Sequence, residues 1–97
     1  MRVVLHPKVY SDIDQIMAYY EQIATPDLAN DFYAELRQFM KAAAARSNSF
    51  AICKRDVRRV NLDRFPYHFL FRVVDDEVRI LVVRHHSRRP SLGIRRR

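Results

Sequence analysis

Glycine is almost missing from this chain: Gly93 is the only one among 97 residues. One glycine cannot build a Gly-rich phosphate cradle, and with only four prolines the chain is neither collagen-like nor a flexible low-complexity segment. Cys53 is the sole cysteine, so no internal disulfide can form, and a single thiol suits a reducing cytoplasm. No sequence signature surrounds it as a nucleophile. No apolar run approaches the roughly 20 residues of a membrane span. Val3 to Leu5 is too short for a secretory signal, so a cytoplasmic location and no membrane partner are expected. The histidines lack Asp, Glu or Cys at ligand spacing, and hydrolase-triad and phosphate-loop motifs are missing, so neither metal nor cofactor is expected.

What is there fits one domain spanning residues 1–97, with 91–97 a candidate disordered basic tail. Positive charge is concentrated in the second half. Residues 1–53 carry a net −1 and residues 54–97 a net +8. Of the 18 cationic side chains, 15 are arginine, which favours planar, bidentate contact with phosphate or carboxylate. A polyanionic partner is implied, either nucleic acid or an acidic protein; the plain alternative is a basic, solvated face.

The patterning predicts an α+β fold. Arg2 to His6 reads as a first strand. Ser11 is expected as a helix N-cap with Asp14 three residues on, ahead of the stripe Ile13, Ile16, Met17, Tyr20 and Ile23. That helix should end near Ala24. Thr25 at N-cap and Pro26 at N1 start a second helix carrying Leu28, Phe32, Leu36, Phe39, Met40 and Ala43, and the pair should form an antiparallel hairpin. Residues 46–56 read as a loop. Strands are expected at Val57 to Leu62, around Tyr67 to Val74 by period-two alternation, and at Val78 to His85 after an Asp75-Asp76 turn. The last strand, apolar on both faces through Val82 and Val83, should be central. The expected architecture is an N-terminal strand, a two-helix hairpin, then a three-stranded antiparallel sheet packed on the helices.

That element order, together with several short motifs, resembles the RelE/ParE superfamily of type II toxins, which includes plasmid stabilisation proteins. Val3-Val4, His6-Pro7 and the Tyr19-Tyr20 pair agree with its opening. Val57-Arg58-Arg59-Val60 followed by Arg64-Phe65-Pro66-Tyr67 resembles its arginine-bearing strand and turn, and Val82 to His86 followed by Arg88-Arg89-Pro90 its closing segment. The resemblance implies a growth-inhibiting toxin neutralised by an acidic antitoxin, in a toxin–antitoxin hetero-oligomer. Its target is either DNA gyrase, as for ParE-like members, or mRNA on the ribosome, as for RelE-like endoribonucleases. A non-toxic basic binding domain is the third reading. Where many relatives carry a late aromatic residue, this chain has Leu92-Gly93-Ile94, which favours the ParE-like reading.

RNA cleavage needs a proton acceptor, a proton donor and cations for the developing phosphorane charge. The candidates for such chemistry are Arg59, Arg84 and His85. As a binding surface the expected set is Arg59, Arg64, Tyr67, His68, Arg84, His86, Arg88 and Arg89. Against this, Tyr67 alternates with core aromatics, and His68 on the opposite face reads as solvated. His85 and His86 lie on opposite faces of one strand end, as do Arg58 and Arg59 on theirs.

Overall fold

The computed structural model describes residues 1–97. Strand β1 (Arg2–Leu5) leads into helices α1 (Pro7–Ile23) and α2 (Pro26–Ala45). A single 3-10 turn at Ser47–Ser49 precedes β2 (Ile52–Lys54), β3 (Val57–Asn61), β4 (Tyr67–Val74) and β5 (Glu77–His85). The five strands form one sheet in the order β1-β5-β4-β3-β2. β1 runs parallel to β5 and every other pair is antiparallel.

Helix α1 starts four residues before the expected Ser11 cap. Pro7 sits in the first turn, where its fixed φ suits a helix and its missing N–H costs nothing. The cap is His6, whose Nδ1 accepts the Lys8 N–H at 3.1 Å. Ser11 lies inside the helix, where its hydroxyl accepts from Gln15 Nε2. α2 begins as expected: Thr25 Oγ1 accepts the Leu28 N–H at 3.3 Å, with Pro26 following.

One sheet face packs against both helices. Val9, Ile13, Ile16 and Tyr20 of α1 and Ala29, Phe32, Leu36, Met40 and Ala43 of α2 bury against Val60, Tyr67, Phe69, Phe71, Val78, Ile80 and Val83. Ile23, placed by its spacing on the buried stripe, is instead 58% exposed because it lies on the last turn, beyond the packed face. The expected loop over 46–56 holds an extra edge strand, β2. All three of its residues are exposed and only its backbone pairs with β3, so no alternation marks it.

The opposite face has its own small core. In the β4–β5 register Leu70 pairs with Val82 and Phe71 with Ile80, leaving Leu81 as an extra, bulged residue. Leu81 and Val82 therefore both join Val57 and Leu70 in a second buried cluster, with Ile94 packed on it. The C-terminal segment lies across this cluster. Gly93, at φ +77°, sits so close that an added Cβ would fall 2.4 Å from Val82 Cβ, so no other residue fits there.

Candidate functional site

Two features converge where β4 begins and β5 ends. On the helix side a cleft of about 720 Å³ opens between α1 and the strand ends. Ile16, Tyr19 and Ile23 form its apolar wall, and His85, Ser87 and Arg88 a polar rim that carries one cation, Arg88. Tyr19 and Ile23 are both more than half exposed. The floor is aromatic. Tyr67 packs edge-on to Tyr20, Phe32 and the His85 ring, with centroids 5.1 to 6.1 Å apart. Burial, and then the nearby Tyr67, push the Tyr20 phenol up to about 12, so the floor is uncharged.

The turn that delivers Tyr67 is held from below. Glu35 of α2 accepts the backbone N–H groups of Asp63 and Arg64 on one carboxylate oxygen. Phe65 then inserts between Tyr20 and Phe32. The Pro66 carbonyl accepts the His86 N–H, which ties this turn to the end of β5.

On the other sheet face the register brings Arg59, His68 and Arg84 together on adjacent strands. His68 is 1% exposed, which corrects the expectation of a solvated ring. Alternation placed it away from the helices correctly, but that face is covered by the C-terminal segment. Arg84, also buried, donates from Nε to His68 Nε2 at 2.8 Å. Since Arg84 can only donate, His68 Nε2 accepts and its proton sits on Nδ1. That Nδ1–H meets His86 Nδ1 at 2.9 Å, with the two ring planes 11° apart. Arg59 Nη2 reaches the same His86 nitrogen at 3.4 Å and donates from Nε to Asn61.

Burial, followed by the charges of Arg59 and Arg84, lowers His68 to about 3. Burial and Arg59 also lower His86. Both rings are neutral at physiological pH, and His68 has no free nitrogen. The Nη1 of Arg84 donates to the carbonyls of Arg89, Pro90 and Leu92 at 2.6 to 3.1 Å. Its guanidinium is thus spent on fastening the C-terminal segment.

The remaining candidate residues are dispersed. His85 faces the cleft, and its Nδ1 accepts the Ser87 N–H at 3.0 Å. Arg64 lies over the Phe65 ring and 3.7 Å from Asp31. Arg88 and Arg89 have exposed side chains. His85 and His86 do open onto opposite faces, one with Tyr67 and the other with His68. Nothing in the sequence singled out Asp12. Its Oδ2 accepts the Val83 N–H on the open half of β5 and the Arg96 guanidinium at 2.7 Å. Both partners lie more than seventy positions away, beyond the reach of any local pattern.

Known proteins share this architecture. The family model described as the ParE toxin of the type II toxin–antitoxin system parDE matches residues 3–90. Toxin ParE2 of Mycobacterium tuberculosis, from strain CDC 1551 / Oshkosh, is 30% identical over 94 residues, covering 93% of this chain and 86% of the relative. Its counterpart from strain ATCC 25618 / H37Rv matches to the same extent. A solved structure titled "Chromosomal ParDE TA system from P. aeruginosa" superposes with a TM-score of 0.78 at 25% identity, covering 88% of this chain and 95% of that one.

Proposed function

The chain belongs to the ParE toxin family of type II toxin–antitoxin systems, and on that premise we propose that it arrests growth by inhibiting DNA gyrase until an acidic antitoxin masks it. The observation that carries the choice of target is the state of the His68–Arg84 pair. A ribonuclease working through these strands needs an imidazole that changes protonation near neutrality and an arginine free to meet phosphate. His68 is buried and neutral down to about pH 3. The Arg84 guanidinium is held by three carbonyls and a histidine. Two of the groups that cleavage would recruit are thereby committed to the fold. What stays accessible is a cleft with an apolar wall and a polar rim bearing Arg88, a surface suited to binding a protein.

The antitoxin is the natural occupant of that cleft in the resting state. Exposed Tyr19 and Ile23 offer anchor positions for apolar side chains, and Arg88 complements acidic ones. The test is gyrase supercoiling with the purified chain titrated in. Supercoiling should fall with toxin concentration and recover on addition of equimolar antitoxin. Undiminished supercoiling, combined with cleavage of mRNA on purified ribosomes, would replace gyrase by the ribosome as the target.

A further inference from the structure

The far end of the open sheet face holds a second concavity, of about 420 Å³. Five of the seven residues around it are cationic: Lys54 at the end of β2, Arg55 from the β2–β3 turn, Arg72 from β4, and Arg95 and Arg97 from the C-terminal segment. The other two are Val57 and Ile94. The fold assembles this group from three separate stretches of chain. Arg55 takes φ +53°, a left-handed conformation uncommon for a side-chain-bearing residue, at the tip of its turn. The segment that crosses Val82 with Gly93 carries Arg95 and Arg97 to the same place. Between them Arg96 turns away to pair with Asp12.

The charge here is barely compensated. Asp56, 3.4 Å from Arg72, is the one carboxylate paired with any of the five, and it is largely exposed. The Nε of Arg72 is buried without a hydrogen-bond partner. Cations brought together against their mutual repulsion call for an anionic counterpart.

We propose that this concavity grips the phosphate backbone of double-stranded nucleic acid, independently of base sequence and separately from the α1 cleft. The lining chooses between anions. A free nucleotide would find no aromatic ring for its base and no group placed to read a base edge. An acidic peptide needs apolar anchors at the centre of its interface, and the only apolar residues here are Val57, which is buried, and Ile94, which is partly buried. A phosphodiester backbone asks only for spaced positive charge, which this site supplies. The inference goes beyond toxin activity, because it concerns binding that the isolated chain shows with no gyrase present.

The measurement is fluorescence anisotropy of a short labelled duplex of mixed sequence with the purified full-length chain, from about 50 to 200 mM salt. The triple variant Arg55→Gln/Arg95→Gln/Arg97→Gln removes three charges on exposed residues whose side chains form no hydrogen bond or ion pair within the fold, and its melting curve verifies the fold. It should bind about tenfold or more weakly, with the salt slope reduced by about one for each phosphate left without its arginine. A charge-matched variant, Lys8→Gln/Arg37→Gln/Lys41→Gln, should keep the wild-type affinity and slope. Equal losses in both variants, or none in the first, overturn the proposal. So does a polyglutamate peptide that displaces the duplex at comparable concentration, since the site would then be one for acidic protein.

Discussion

Arg84 connects the sheet to the C-terminal segment through a single side chain. Its Nε donates to His68 Nε2, and its Nη1 gathers the carbonyl oxygens of Arg89, Pro90 and Leu92. Replacing it with methionine keeps the stem but orphans His68 Nε2 and the Pro90 and Leu92 carbonyls, while the Arg89 carbonyl keeps the Leu92 N–H. We expect Arg84→Met to cost about 2–4 kcal/mol in urea unfolding and to open the bonds after Arg88 and Arg95 to trypsin. Unchanged stability and an undigested tail would show that the guanidinium is not the fastening. His68 makes a second prediction. Its ordinary value of 6.5 drops to about 3 in the folded chain, so between those limits only the unfolded state takes up the proton. The contribution is complete above about pH 6.5 and is lost as pH falls toward 3, with a slope approaching about 1.4 kcal/mol per pH unit. His86 and His6 are lowered as well and act in the same direction. Chemical denaturation across that range should show the decline in the wild type and a shallower one in His68→Phe. The sequence displayed these arginines and histidines but not how they are spent. Alternation put His68 on the face opposite Tyr67; the β4–β5 register sets Arg84 beside it, and the path of the tail reveals that the face is closed.

At the scale of elements, the helices were legible because each carries an apolar stripe with helical spacing. The Thr25-Pro26 start of α2 follows from the same chemistry in sequence and structure. The start of α1 was misplaced because histidine is an unusual cap; its ring nitrogen does the work more often done by a hydroxyl or carboxylate. Strand β2 left no pattern, being three exposed residues at an edge. The parallel pairing of β1 with β5 is a long-range choice that no local window contains. The exposed end of α1 carries a functional expectation. Ile23→Lys should leave thermal stability unaltered, since the residue is 58% exposed, yet weaken antitoxin binding about tenfold to hundredfold by titration calorimetry. An unaltered antitoxin affinity would move the masked surface away from the α1 cleft.

For the whole molecule, the charge asymmetry visible in the sequence becomes a spatial division. The helices carry the near-neutral half, and the cations of the second half lie around the strand ends and the open sheet face. Those cations do different things. Arg84 and Arg96 are bound internally, by carbonyls and by Asp12. Arg58 donates to the Phe50 carbonyl at the sheet edge. Arg88 remains for a partner at the cleft, and Arg55, Arg95 and Arg97 gather at the opposite end. Family membership was readable from the order of short motifs. The target was not, because those motifs are shared by the gyrase-directed and the ribosome-directed readings that the resemblance implies. The most direct measurement is therefore made in cells. The chain is induced without its antitoxin, and thymidine and methionine incorporation are followed in parallel. Inhibition of gyrase predicts that thymidine incorporation falls first while methionine uptake continues. An early collapse of methionine incorporation, or normal growth with both labels intact, contradicts it.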